Sequence, residues 1–233
     1  MYLSRLLLDT HNRLVRRDLS DCYQLHRTLL SAFPQAPTEA ARNHFGLLYR
    51  PEALSSEPSL IRVLVQSVYE PDWSRLPRGY LAHAMHSQAN PSVRRIDGDY
   101  AQLVVGQQLR FRLRANPTKR LSSRNTQRTD RLLGKRIALL KEEEQQAWLQ
   151  RKGELHGFRL LTLQSHPDVL DLRITAQEGV RGRRAAMGLS FGAVLFEGYL
   201  EITDLAAFIH SLQQGIGSGK AFGFGLLSIA SVG

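Results

Sequence analysis

Cysteine is almost missing from this chain: Cys22 is the single one among 233 residues. That excludes an internal disulfide, and with no Cys or His pair elsewhere at zinc spacing it disfavours a structural zinc. His83 and His86 stand three apart and could share a helix face, but no third ligand accompanies them, so they read as surface or part-buried histidines. No uninterrupted apolar run approaches the length of a membrane span, and the opening Met1-Tyr2-Leu3-Ser4-Arg5-Leu6-Leu7-Leu8-Asp9 is too short for a secretory signal. The expectation is a cytoplasmic protein with no membrane partner. Acidic residues are scarce as well, 21 against 31 Lys and Arg, which leaves a net charge of +10.

The excess is concentrated. From Arg110 to Arg136 there are ten Lys or Arg against Asp130 alone, a local charge of +9. Such a segment is the footprint of a polyanion, because each phosphate neutralised by a cation releases condensed counterions. Nucleic acid is the leading partner class, although a solvated face or a disordered arm has the same composition.

Hydrophobic residues make up 42% of the chain, enough for one large core or two small ones. The pattern along the chain favours two. Tyr2 to Leu8 reads as a first strand, followed by a polar, basic connection through Arg17. Asp18 or Ser20 is then placed to cap a helix running to about Phe33, with Pro34 as its stop. On a 100° wheel Cys22, Leu25, Leu29 and Phe33 form its buried face, while Tyr23 and His26 lie one turn apart at the border of that face. Leu60 to Tyr69 is a β-branched strand, and Trp73 to His86 is a weaker helix, limited by Pro77 and Gly79. The second half repeats the order: strand Leu109–Arg114, helix Lys141–Lys152 with Glu142, Glu143 and Glu144 in its first turn, extended runs over 158–176, strand Leu189–Thr203, a helix to Gln214, and a last strand Leu226–Ala230. The predicted fold is α+β, two tandem ferredoxin-like (RRM-like) βαββαβ domains, with boundaries at 1–92 and 100–233.

Five glycines and one lysine fall within Gly215-Ile216-Gly217-Ser218-Gly219-Lys220-Ala221-Phe222-Gly223-Phe224-Gly225. Glycines at this density are expected where the backbone needs positive φ or approaches something closely. A phosphate-binding P-loop or a Rossmann turn requires strand, glycines, then helix, and here the order is helix, glycines, strand. Lys220-Ala221-Phe222-Gly223-Phe224 echoes the RRM core motif, but it opens the last strand rather than lying on the third. Arg112 and Arg114 occupy first-strand positions where stacking aromatics would stand, which argues against a tandem RRM for single strands.

The glycine pattern Gly-x-Gly-x5-Gly-x-Gly (Gly215, Gly217, Gly223, Gly225) resembles the C-terminal loop of the CRISPR-associated repeat-processing endoribonucleases. Met1-Tyr2-Leu3-Ser4, Tyr23-Gln24-Leu25-His26, Phe111-Arg112-Leu113-Arg114-Ala115-Asn116-Pro117-Thr118-Lys119, Ala147-Trp148-Leu149-Gln150-Arg151-Lys152 and Gln213-Gln214-Gly215-Ile216-Gly217 narrow the resemblance to the CasE branch. These are the precursor-crRNA endonuclease subunits of type I-E Cascade. The resemblance implies a metal-independent endoribonuclease without cofactor, which cuts CRISPR repeat hairpins by attack of the 2′-OH and leaves 2′,3′-cyclic phosphate and 5′-OH ends. It would stay on the mature crRNA beside the other Cascade subunits; the alternative is a non-catalytic subunit that binds the hairpin RNA. By the same resemblance His26 and Tyr23 are the catalytic pair; Arg27, adjacent on the helix surface, and Lys220, in the loop, are placed as candidate cations for the phosphorane, with a plain surface role equally open for Arg27. The RNA-binding set implied is Arg112, Arg114, Lys119, Arg120, the basic hairpin residues Arg181, Arg183 and Arg184, and Gly215, Gly217, Lys220, Gly223 and Gly225. The role of 124–136 stays open.

Overall fold

Alternation along Tyr2–Asp9 becomes strand β1 of the computed structural model, with Ser4, Leu6 and Leu8 turned into the core. The structure describes residues 1–35, 41–83, 89–121, 134–184 and 187–232, and of Arg184 only the backbone. Arg124, Arg128 and Arg131, and His86 at the end of the expected second helix, lie outside the described residues.

The segment expected as a basic connection is a helix, α1 (Arg13–Ser20), capped by the Asn12 side chain, which accepts from the amides of Leu14 and Val15. Asp18 is therefore no cap. It is fully buried inside the first unit, accepting from Thr28 Oγ1 at 2.6 Å, Tyr80 OH at 2.9 Å and Arg17 Nε at 2.7 Å. An extended Asp21 breaks the chain, and its carboxylate caps a second helix, α2 (Cys22–Leu30), by accepting from Tyr23 N. Cys22, Leu25, Leu29 and Phe33 are buried as the wheel requires.

A short helix α3 (Ala41–Phe45) leads into strand β2 (Leu48–Ala53), which hairpins to β3 (Leu60–Ser67). In place of the expected helix over 73–86, the described part holds one 3₁₀ turn, Trp73–Arg75, and Gly79 at φ +72° then redirects the chain. Beyond the cis Asn90-Pro91 bond, β4 (Ser92–Arg95) pairs with β1, giving an antiparallel sheet of order β2-β3-β1-β4.

Helix α4 (Asp97–Ala101) leads to β5 (Gln108–Ala115), then the small pair β6 (Thr118–Arg120) and β7 (Arg136–Ala138), and helix α5 (Glu142–Leu155). Short strands β8 (Phe158–Leu160), β9 (Thr162–Leu163) and β10 (His166–Leu170) precede a long hairpin of β11 (Leu172–Arg184) and β12 (Met187–Ile202). Asp204 caps α6 (Leu205–Gln214), and β13 (Leu227–Ser231) closes a sheet of order β11-β12-β5-β13, with β8 also on β12. Each sheet has its own apolar core, one around Leu6, Leu29 and Val65, the other around Leu113, Trp148 and Phe208.

The two halves are joined by polar bonds at their seam. Arg50, 2% exposed, donates from Nη1 to the carbonyls of Arg112 (3.2 Å) and Leu226 (3.1 Å), and from Nε to Glu52 (2.7 Å). Glu52 also holds Arg62 and Arg112, so the buried charges are matched. Gln66 Nε2 donates to Leu212 O at 2.7 Å, and Tyr100 OH donates to Gln66 Oε1 at 2.9 Å.

Candidate active site and nucleic-acid interface

Helix α2 carries Tyr23 and His26 one turn apart, both half-buried at the edge of the packed face. The imidazole of His26 stacks on Tyr49 of β2 (centroids 6.4 Å apart, planes at 17°) and meets the Phe222 ring edge-on, also at 6.4 Å. Its Nδ1 is buried with no hydrogen-bond partner. A doubly protonated ring would bury an N–H with no acceptor, so the neutral form is favoured. Burial, followed by the charge of Arg42, accordingly pulls the pKa of His26 down from 6.5 to about 4.

Phe222 reaches His26 because of the glycine loop. All five of its glycines have positive φ, between 76° and 87°. A turn within the loop is fixed by Ile216 N donating to Gly225 O (2.9 Å), and Gly225 N donates to Arg114 O (2.8 Å). The loop is seated on β2: a Cβ at Gly215 would stand 2.8 Å from Leu48, one at Gly223 3.1 Å from Pro51, and Tyr49 OH donates to Ala221 O at 3.0 Å. A side chain at either position would push the loop off its seat. The 3₁₀ turn Lys220–Phe222 then presents Phe222 to His26 and half-buries Lys220. Burial lowers the pKa of Lys220, and the charges of Arg42 and Lys152 lower it further. Arg42, on α3, thus acts electrostatically on His26 and Lys220 together.

The basic hairpin approaches the same helix from the other end. Its residues 179–184 belong to β11 rather than to an open turn, and Arg183 N donates to Asp21 Oδ1 at 3.3 Å, the carboxylate that caps α2. A Cβ on Gly182 would stand 2.6 Å from Cys22 Sγ, so glycine permits this approach. Arg181 and Arg183 are exposed beside it.

The remaining candidates divide. Arg112 is engaged within the protein, by Glu197 (2.6 Å) and Glu52 (3.2 Å). Arg114 donates to Gln177 Oε1 (2.8 Å) and lies 5.0 Å over the ring of Phe224. Both line a cleft of about 1100 Å³ together with Tyr49, Arg181 and Phe222. Lys119 pairs with Glu144 at 2.7 Å, and Arg120 donates to Gly134 O at 3.1 Å; both are exposed on the β6–β7 pair. Arg27 is exposed on α2. Sequence reasoning missed Arg42, Tyr49 and Phe222. Arg42 carries no local signal, since its importance lies in a neighbourhood that only the folded chain creates.

A family model described as "CRISPR associated protein" matches residues 1–231. The CRISPR-associated endoribonuclease Cse3 of Thermus thermophilus is 42% identical over 234 aligned positions, which cover 99% of this chain and 100% of the relative. The chain belongs to the Cse3/CasE family of CRISPR endoribonucleases. The Cascade subunit CasE of Escherichia coli is 36% identical over 99% of both chains. A structure of Cse3 bound to 19 nt RNA covers 99% of this chain and 100% of its own, with 38% identity and a TM-score of 0.78. Within the Cse3/CasE fold, then, the neighbourhood of His26 is built from α2, α3, β2 and the glycine loop together.

Proposed function

We propose that the chain cleaves CRISPR repeat hairpins in precursor crRNA by attack of the ribose 2′-OH and keeps its product as a Cascade subunit in the cytoplasm. The architecture behind this is read as two ferredoxin-like units near 1–92 and 100–233, supported by two sheets whose strand orders correspond. RNA binding in one relative and Cascade membership in another support the partner assignment.

The observation that carries the chemistry is the convergence of His26, with its unpartnered ring nitrogen, on the Lys220–Phe222 turn under the charge of Arg42. In the reaction the 2′ oxygen bonds to the adjacent phosphorus, the P–O5′ bond breaks, and one proton moves from the 2′-OH while another reaches the 5′ oxygen. RNA supplies its own nucleophile, so the protein has to position it, move protons and stabilise charge. His26 handles one of these protons through Nε2, the ring nitrogen that is not sealed in the protein without a partner. Arg42 and Lys220 supply positive charge to the phosphorane, and Tyr23, one turn before His26, orients the ribose or phosphate. Arg181, Arg183 and Arg184 grip the stem through its phosphates, the common mode for A-form RNA. Arg112, Arg114, Lys119, Arg120 and the glycine loop flank the cut.

The test is cleavage of a cognate repeat RNA in EDTA. His26→Ala is expected to slow cutting by ~10²–10⁴-fold, the usual worth of a general acid or base, while leaving hairpin binding intact. A 2′-deoxy substitution at the scissile nucleotide should abolish cutting altogether. Undiminished cleavage by His26→Ala, or cleavage of the deoxy substrate, refutes the assignment.

A further inference from the structure

Behind the glycine loop, on the side away from Phe222, lies a second cleft of about 390 Å³. Thr118, Arg120 and Arg136 from the β6–β7 pair, Lys152 and His156 from the end of α5, and Gly215, Gly217 and Lys220 from the loop are on its walls. Four permanent cations thus face one small space. Among the described residues, none of the four has a carboxylate within 4 Å. Glu144, in the first turn of α5, is taken by Lys119. Lys152 lies over the face of Trp148 at 5.9 Å, and Gly217, at φ +86°, runs against the same indole; a Cβ there would stand 3.2 Å from it. His156 responds to the crowding: its pKa is lowered by burial, then by Lys152, Lys220 and His210.

Uncompensated like charges gathered in a cleft raise the local concentration of anions and are relieved by one. The cleft is too narrow for an A-form helix, and it shares no lining residue with the large cleft that holds Arg181 and Phe222. The 3₁₀ turn divides the two: Phe222 lines the larger, Lys220 the smaller. Lys220 and Phe222, two residues apart on that turn, thus each belong to a different cleft.

We propose that this cleft binds backbone phosphates of the single-stranded RNA flanking the hairpin, with Arg136 and Lys152 as its principal contacts. The inference rests on the function proposed above and extends it from the stem to the flank. Either flank, 5′ of the stem or 3′ of the cut, offers the same phosphodiester chemistry.

The experiment measures binding of three RNAs, each with a 2′-deoxy scissile nucleotide: the stem-loop alone, the stem-loop with its 3′ flank, and the stem-loop with its 5′ flank. The unmodified full chain is compared with an Arg136→Gln/Lys152→Gln double variant across a salt series. The unmodified protein should bind one flanked RNA more tightly than the bare stem-loop, and the RNA showing the gain identifies the flank. In the double variant that gain should shrink by at least fivefold, and the salt slope on that RNA should fall by about 1.4, two single-strand phosphate contacts at ~0.7 each. Bare stem-loop affinity should be equal in the two proteins, which also reports that the variant is folded. No gain from either flank, or the same gain in both proteins, overturns the proposal. Failure of both proteins to bind the bare stem-loop would instead refute the function on which it rests.

Discussion

Acidifying the RNA-free protein should destabilise it through His26, and the size of the effect follows from the site. Burial and Arg42 hold the folded-state pKa near 4, against 6.5 in the unfolded chain. Because the folded value is the lower one, the unfolded chain binds the extra proton between about pH 6.5 and 4. Stability is thus unaffected above this window and falls as pH drops through it. The full shift corresponds to about 3 kcal/mol, of which ~2 kcal/mol should be gone by pH 5. Carboxylates such as Asp97, held near pKa 2, begin to titrate only lower down. Urea unfolding of the unmodified protein and of His26→Gln, from pH 7.5 to 5, isolates the term: the stability gap between them should change by ~2 kcal/mol in favour of the variant. NMR of the His26 ring gives its titration directly. Parallel stability curves, or a ring that titrates near 6.5, would refute the buried, cation-flanked description of the site.

Other expectations concern the contacts that build the site. Gly223→Val forces a β-branched residue to φ +85° with its Cβ 3.1 Å from Pro51, and should cost ~1–3 kcal/mol in thermal unfolding while weakening RNA binding. Unchanged melting and affinity would reduce the loop to a connector. Asp21→Ala removes the cap of α2 and the acceptor for Arg183 N, so a loss of ~1 kcal/mol is expected, together with weaker hairpin RNA binding measured by filter retention. Arg50→Met takes the donor from the carbonyls of Arg112 and Leu226 while Glu52 keeps Arg62 and Arg112, so a cost of about 1–3 kcal/mol is expected, checked by denaturant unfolding.

Much of the fold was legible where one periodicity dominates. Strands β1 and β5 alternate cleanly, and the Cys22–Leu25–Leu29–Phe33 stripe fixed the orientation of α2 and hence the position of His26. Helix α1 was not legible, because its basic sequence looks like solvent-facing loop and its buried face includes Asp18. The partners of that carboxylate, Thr28 and Tyr80, lie 10 and 62 residues away. The basic strand β5 pointed to nucleic acid, yet Arg112 is engaged by Glu52 and Glu197, acids from two other strands. The glycine spacing marked the loop as important without disclosing that Gly215 and Gly223 sit against Leu48, Tyr49 and Pro51 of the other half. Local pattern reports which face is buried; what that face is buried against depends on contacts distant in sequence.

That distance has a consequence for when the protein can act. The bonds seating the glycine loop and the hairpin on the first half join residues 162, 172 and 176 positions apart, and they involve Arg183, Ala221 and Leu226. Contacts of such separation form late, and a nascent chain emerges N-terminal end first. While it is being synthesised the chain already exposes His26, but without Phe222, Lys220 or the seated loop. Such a chain has a histidine and no site around it. On the function proposed above, the order of synthesis delays nuclease activity until nearly the whole polypeptide has left the ribosome, itself an assembly of RNA.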